Sequence, residues 1–527
     1  MLKVYRHQKG ASEYIGEVEP GGTLFGLYEY HEYEIRSSGE VKQIFVDDQP
    51  LQSFNAAGGC LWQSGFYSGQ VAVEASVYDS SKLVRFTFDI APDPTKTGRQ
   101  QYQQYISDIV RLIPDMIIGN QAATIGMAGR SSNLNKWIRY SRIRTYFNRF
   151  LDGLKTIMER PITKPLHRRE LLPIQLVRKV DITTINRLTS NAAMLSAIVS
   201  NSKESLLIEN SLDNRLDIPY SEPTFDNPAN RVIKAQISMV LKSMEEVKVF
   251  FEECEDKATD LFEKERLPRK IKFLKDSRKV LTKVLRREPF TSAGFDKGTV
   301  VGLNVVSGNP DYAFTHGTGV KLLKRGIADE FSSEMHYTPP TWQVYESWCF
   351  CILVESLKTL YPYFNWELKK NISNVDMLFE GFHEEDRIRL YSQLRCPSDE
   401  KTNNFGYCSI SRERIPDYVL EIKINGKKSF ICLDAKYKAS RSRLLEAMAS
   451  AHIYRDSVKL DGKPPQSVFL ITPNVDNVAN LVSAEYKQRN HVGCQRLSVE
   501  DDALSILREL TNWLMMPKMD NVNISNN

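Results

Sequence analysis

Three charged side chains lie in a stretch otherwise suited to a protein interior. In RIPDYVLEIKINGKKSFICLDAKYK, residues 414–438, Asp417, Asp434 and Lys436 stand among aliphatic and aromatic residues. Two carboxylates at close quarters can share a hard divalent cation that polarises a phosphate and activates water, with an ammonium group orienting that water or neutralising charge developing on the phosphorane. That chemistry requires the fold to bring the three together.

The flanking runs DYVLEIKI and KKSFICLDAKY are separated by Asn425-Gly426, the pair that best tolerates the positive φ angles of a type I′ turn, which predicts a two-residue β-hairpin. Residue 424 then faces 427, and stepping away from the turn along both strands sets Asp417 opposite Asp434. Lys436 returns to the same face because strand side chains alternate with a period of two. Val419, Phe430 and Cys432 share that face, while Tyr418, Leu420, Ile422, Ile431 and Leu433 take the other. Strands apolar on both faces are expected to be central and covered on both sides.

Like charges at cross-strand distance disfavour a sheet, and two buried carboxylates raise one another's pKa. Mg²⁺, for which Mn²⁺ would substitute, could neutralise them, since it is held by one or two carboxylates plus water. Lys436 alone, as an internal salt bridge without chemistry, is the alternative. The triplet Glu421-Ile422-Lys423 is a second acid-x-Lys, but with Phe430 opposite Glu421 it reads as the polar tip of the hairpin.

At 527 residues the chain exceeds what one core usually organises, so about three domains are expected. With 42% hydrophobic and 26% charged residues it has the balance of an ordinary soluble protein. No apolar run approaches the roughly 18 residues that span a bilayer, and MLKVYRHQKG lacks a signal peptide's apolar stretch, which points to the cytoplasm and away from membranes. Eight cysteines without CxxC pairs suggest reduced thiols.

The net charge of +5 is modest but unevenly spread. Residues 135–150 interleave Lys136, Arg139, Arg142, Arg144 and Arg149 with Trp137, Tyr140, Tyr146 and Phe147. Residues 266–287 surround an apolar stripe of Ile271, Leu274, Leu281 and Leu285 with basic groups. Each run is either a solvated helix face or a surface for a phosphate backbone, with Arg139, Arg142, Lys270 and Lys272 as candidate contacts.

The expected architecture is an α+β multidomain chain. Residues 1–100 alternate as a β-rich domain, 101–290 form a helical domain with the basic helices, 291–335 are an irregular connector, and 336–527 form an α/β module. In the helical part, ANRVIKAQISMVLKSMEEVKVFFEECEDKATDLFEKE reads as one long amphipathic helix, whose stripe is either a partner surface or, more commonly, packs on the basic helix from 266 to 287. In the last module, Pro339-Pro340 precede a helix in which Glu346 sits on an apolar face and wants a partner, whereas Glu355 reads as solvated. The order is helix, strands, hairpin, helix, strand.

That order, with Pro416-Asp417 on one strand and Asp434-Ala435-Lys436 on the next, resembles the PD-(D/E)xK (restriction-endonuclease-like) nuclease superfamily. FDNPANRVIKAQI (225–237), VYESWCFCIL (344–353), LDAKYK (433–438) and HIYRDSV (452–458) are similar to McrC-like nucleases of bacterial restriction and anti-phage defence systems. The resemblance implies a metal-dependent DNA endonuclease in which Asp417, Asp434 and Glu346 bind Mg²⁺ and Lys436 assists hydrolysis. His452 and Arg455 become candidates for substrate contacts, though His452 reads equally as a residue packed near Met448 and Leu445, and Tyr454 as core. Such nucleases commonly work beside an AAA+ (McrB-like) motor NTPase. This chain has no GxxxxGK[ST] loop, so a motor would be a separate polypeptide, and a homo-oligomer is compatible with the reading. An RNA-cleaving effector with the same site, or an inactive DNA-binding scaffold, are the alternatives. Retention of Asp417, Asp434 and Lys436 speaks against the scaffold.

Overall fold

Asn425 and Gly426 have φ of 50° and 75°, the left-handed region that a type I′ turn demands. The hairpin they close lies within a seven-stranded sheet in the computed structural model. The structure describes residues 1–8, 11–39, 41–52, 59–77, 83–117, 124–130, 136–173, 176–190, 192, 215–258, 261–294, 300–324 and 328–515. The chain is a mixed α/β protein of several sheets and helices.

The elements around the hairpin are helix α1 (Arg99–Leu112), helix α2 (Thr341–Leu360), strands β1 (Asn365–Ile372), β2 (Val375–His383), β3 (Asp386–Ser392), β4 (Tyr418–Ile424) and β5 (Lys427–Ala435), helix α3 (Arg441–Ser457), strands β6 (Val468–Thr472) and β7 (Val492–Arg496), and helix α4 (Ala503–Met515). Strand order follows chain order from β1 to β7. The first five strands are antiparallel neighbours, and β6 and β7 add in parallel. The β5–β6 parallel step needs a crossover, and α3 supplies it.

Both faces are covered, for the reason the alternation gives. Tyr418, Leu420, Ile422, Ile431 and Leu433 join a core with Tyr105, Ile109, Val344, Trp348 and Leu510, from α1, α2 and α4. Val419, Phe430 and Cys432 join a second core with Leu444, Met448 and Ala451 of α3. A one-residue slip would exchange these sets, so the register is set by packing on two sides as well as by the turn. α1 is tied to α2 by Trp348 Nε1, which donates to Asp108 Oδ2 at 3.0 Å, and by Arg111 with Glu355 at 3.0 Å. Glu355 is thus in an ion pair rather than simply solvated.

The chain packs as two compact units. One comprises Met1–Ser141, Cys254–Lys270 and Arg325–Asn527, the other Arg142–Glu253 and Ile271–Lys324. These units divide the chain differently from the consecutive ranges 1–100, 101–290, 291–335 and 336–527. In the first unit the strands up to Ala91 surround a core that includes Val4, Tyr33, Ile35, Val71, Val73 and Phe88. Strands Thr124–Arg130 and Ala328–Tyr337 extend one of their sheets, pairing across some 200 residues of sequence that local periodicity cannot bridge.

In the second unit, helix Pro228–Lys257 buries Val232, Ile237, Val240, Met244, Val247 and Phe251, the expected stripe. Lys275 pairs with Glu252 at 3.0 Å, and Arg278 pairs with Glu245, joining this helix to the basic one. The FDNPANR segment forms a structural knot. Asp226 Oδ1 accepts from Arg231 Nε and from the Gly294 backbone N–H at 2.7 Å, and Tyr312 Oη donates to Asn230 Oδ1 at 2.6 Å. Where an irregular connector was expected, the chain forms helices Val300–Gly308 and Pro310–Leu323. Asn309 caps the second by accepting from the backbone N–H groups of Asp311 and Tyr312, with Pro310 at its first position.

Positive charge is partly used inside. The Asp47-Asp48 turn, with φ of 43° and 71°, receives Lys270, whose Nζ lies 3.0 Å from Asp47 Oδ1, 2.9 Å from Asp48 Oδ2 and 3.2 Å from Tyr337 Oη. Arg266 pairs with Asp47 and Arg269 with Asp48 and Glu74. Lys270 is fully buried, and removing one partner of such a network leaves uncompensated charge. Lys270→Met should therefore cost about 3–5 kcal/mol in urea unfolding, whereas exposed Lys272→Ala should stay within about 0.5 kcal/mol.

Candidate functional site

Along the hairpin, pairing runs from Ile424↔Lys427 to Tyr418↔Leu433, so the next step places Asp417 against Asp434. There the strands part. Asp417 precedes β4, Asp434 is the penultimate residue of β5, and Lys436 follows that strand. Lys436 Nζ lies 2.7 Å from Asp434 Oδ2 and 3.8 Å from Asp417 Oδ2. Asp417 Oδ2 also accepts the Ala435 backbone N–H at 2.8 Å, which pins the carboxylate across the hairpin.

Glu346 is brought in from α2 by a residue that the sequence reading did not single out. Gln393 follows β3 with φ of 54°, a conformation that costs a non-glycine residue strain. Its backbone N–H donates to the Asp417 carbonyl at 2.8 Å, and its Nε2 donates to Asp417 Oδ1 at 3.1 Å and to Glu346 Oε1 at 2.5 Å. One amide thus ties two acids. Tyr418 Oη donates to the Glu346 carbonyl, fixing the helix against β4.

From α3, Ser450 Oγ donates to Asp434 Oδ2 at 2.7 Å, the same oxygen that Lys436 approaches. Tyr454 Oη donates to the Ile415 carbonyl at 3.1 Å, holding the loop that delivers Asp417. Asp376, on β2 and exposed, is near enough for its charge to act on Glu346. Neither Gln393 nor Ser450 carried a sequence signal, because each acts through a contact between elements distant in the chain.

The electrostatics follow from three acids around one lysine. Burial first, then Asp434 and Glu346, push the Asp417 carboxyl well above its usual range. Burial likewise raises Glu346, against the Gln393 hydrogen bond and Lys436, with Asp434 and Asp376 adding to the rise. Burial alone would depress Lys436, but Asp434 and Asp417 outweigh it and hold the ammonium above its ordinary value.

Among the described residues, no group of three or more His, Cys, Asp or Glu side chains is arranged to hold a metal ion. Asp417 and Asp434 instead converge on Lys436, and Glu346 meets Asp417 through Gln393. The donor chemistry nonetheless fits a hard divalent cation. The oxygens are carboxylate, and the raised Asp417 and Glu346 mark negative charge that one ammonium leaves under-compensated. Asp417 and Asp434 are the residues that would bind it directly.

Other expected contacts fall elsewhere. His452 is exposed on α3 and Arg455 is half-buried, and among the described residues neither hydrogen-bonds Asp417 or Asp434. Arg142 is buried, with Nη1 donating to the Lys324 carbonyl at 2.7 Å, and Lys270 is buried in its acidic turn. Both side chains are therefore packed against internal acceptors and do not lie on an open surface. Arg139 is half-buried and Lys272 exposed.

Glu421 also differs from its expected place at the polar tip of the hairpin. It faces Phe430 as read, but it is buried, accepting from Tyr407 Oη at 2.8 Å and Tyr391 Oη at 3.2 Å, with Arg389 at 3.5 Å. The short strand Tyr407–Ser409, between β3 and β4 in the chain, brings Tyr407 to it, a contact the hairpin's own pattern does not contain.

Residues 65–301 match the model of a domain of unknown function (DUF2357), a span that ends before α2 and the hairpin. No curated protein matches the chain.

A carboxyl whose pKa is raised by folding favours the folded state at low pH and loses that contribution as pH rises through its folded value. Glu346→Gln keeps an acceptor for Gln393 and removes the charge. In metal-free buffer this variant should melt above the wild type at pH 7.5, and the difference should vanish when the pH falls below the ordinary carboxylate range. A wild type equally stable throughout would show that Glu346 bears no such strain.

Proposed function

We propose that the chain is a metal-dependent DNA endonuclease, the effector of a bacterial restriction or anti-phage defence system that works with a separate AAA+ NTPase. The observation that carries the reading is the convergence of Asp417 and Asp434 on Lys436 at the end of a buried central hairpin, with Glu346 linked to Asp417 by Gln393. The fold around them supports it, since helix α2, the antiparallel strands β3 to β5, helix α3 and parallel strand β6 follow the order of a PD-(D/E)xK core. The superfamily, the DNA substrate and the motor partner come from the sequence resemblance. Among the described residues no helix is long and apolar enough to cross a membrane.

Asp417 and Asp434 would hold Mg²⁺ or Mn²⁺, with Glu346 a further carboxylate beside them. Bound there, such a cation supplies Lewis-acid polarisation of the phosphate and a water of lowered pKa. The remaining steps belong to the chain. Ser450 and the Ala435 N–H each hold one carboxylate oxygen, so the ligands are oriented before substrate arrives. The raised pKa of Lys436 keeps it protonated, which suits it to donate to a phosphate oxygen or to the attacking water and unsuits it as a general base. The Lys436 ammonium, 2.7 Å from Asp434 Oδ2, would take that role once Asp434 served as a ligand.

The short Lys436–Asp434 contact favours one second reading, an internal salt bridge in an inactive scaffold. The two are separated by incubating the purified chain with plasmid, single-stranded DNA and RNA in Mg²⁺ or in EDTA, with and without a motor NTPase. Cleavage should require the metal, and Asp434→Asn and Lys436→Ala should each lower it by roughly 10²–10³-fold or more while the protein stays folded. Cleavage of RNA alone would assign the site to an RNA effector. No cleavage of any substrate, with Asp434→Asn and wild type equal in Mg²⁺-dependent thermal shift, would leave only the salt bridge.

A further inference from the structure

Two aromatic side chains in the first unit are stacked on the surface. Tyr30 and Phe66 have ring centroids 4.3 Å apart and planes 15° from parallel, yet they remain 47% and 38% exposed. Burial therefore does not account for the pairing. Tyr30 has φ of 57°, a left-handed conformation uncommon for a bulky residue, and its N–H donates to the Gly65 carbonyl at 3.2 Å. Ser64 fastens the two turns, its backbone N–H donating to the His31 carbonyl at 2.9 Å while its hydroxyl accepts the His31 N–H at 2.9 Å. The backbone thus bears strain to hold a large flat ring outward.

The stack is joined to the candidate site by two routes. The Phe66 carbonyl accepts the backbone N–H of Thr341, the first residue of α2, at 2.9 Å, and α2 carries Glu346. Lys96 Nζ lies 5.6 Å from the Phe66 ring centroid and 5.0 Å from that of Tyr437, the residue after Lys436. Lys96 is itself anchored by Glu29 at 3.1 Å, and Glu29 also accepts from the Thr341 hydroxyl. Trp342, the next residue of α2, is 48% exposed. A flat aromatic surface is therefore held beside the catalytic helix and the catalytic lysine's neighbour.

We propose that Tyr30, backed by Phe66, is a stacking platform for an unpaired nucleobase of the strand that enters the site. The proposal rests on the nuclease reading and deepens it by assigning the substrate class: a single-stranded or locally opened segment. An exposed ring face binds bases of any identity by stacking, whereas paired bases in a duplex present only their edges. An apolar peptide would need a pocket as well, and the feature here is an open ring face tied to residues around a proposed phosphate site. The platform holds the base while Lys436, the residue before Tyr437, meets the backbone.

The test uses the full chain carrying Asp434→Asn, so that bound nucleic acid is not cut, and follows the anisotropy of a labelled oligothymidylate. Tyr30→Asn, which tolerates the left-handed turn, and Phe66→Ala should each weaken binding about 5- to 150-fold. Phe66→Trp should retain it. An abasic oligonucleotide should bind the parent weakly and show no further loss with either variant, and a blunt duplex should be unaffected by both. Equal affinity of variants and parent for the single strand, loss that persists on the abasic strand, or loss shared equally by the duplex would overturn the platform. If wild-type chain cleaves and the platform variants cleave and bind alike, only this proposal falls. If the parent binds no nucleic acid and the wild type cuts none, the nuclease reading falls with it.

Discussion

Repulsion between Asp417 and Asp434 is the constraint to which the candidate site answers. The hairpin register fixes that proximity, because the faces above and below are occupied by two separate cores and a slip would exchange the side chains that fill them. The sheet therefore cannot relieve the repulsion by sliding. It is relieved chemically, by Lys436 between the acids, by the Ala435 N–H and by Ser450. Glu346 and Gln393 then adjoin a centre that is still rich in negative charge. A fold selected for stability alone would replace such a centre with apolar side chains, which is often neutral or stabilising.

The same physics explains why basic runs are a poor guide to exposed charge in this chain. Lys270 and Arg142 occur in sequence patterns indistinguishable from those of exposed neighbours, yet both are buried on internal acceptors. Lys270 satisfies an acidic turn more than 200 positions away, and Arg142 satisfies a carbonyl at the end of a helix. A helical repeat can say which side a residue takes. Whether that side meets water or an acid depends on what packs there.

Legibility in the sequence followed the range of the interaction. The hairpin, its register, its two faces and the Asp417–Asp434 pairing depend on neighbours within about two dozen residues, and Asn425-Gly426 makes them readable. The stripe of the long helix was readable for the same reason. Gln393 and Ser450 were not, because a glutamine after a strand and a serine on a helix are ordinary until their partners are placed. The helices after residue 300 were missed because Gly-rich, Thr-rich sequence masks a well-capped start at Asn309-Pro310. Glu421 was misread because its tyrosines come from other strands.

Strain appears on both sides of this arrangement, and its distribution has a logic. Gln393 adopts φ of 54° to lay one amide across Glu346 and Asp417, and Tyr30 adopts φ of 57° to hold a ring outward on a turn whose partner strap binds the start of α2. Neither residue type is the one such a turn favours, since a glycine or asparagine would adopt each conformation at lower cost. Each is held in place by rigid neighbours: Gln393 by the Asp417 carbonyl, Tyr30 by the Gly65 carbonyl. α2 joins the two, because its first residue, Thr341, donates its backbone N–H to the Phe66 carbonyl and its sixth is Glu346. A helix so anchored at its start by the Phe66 carbonyl and the Glu29 carboxylate has the position of Glu346 fixed in part by the N-terminal strands.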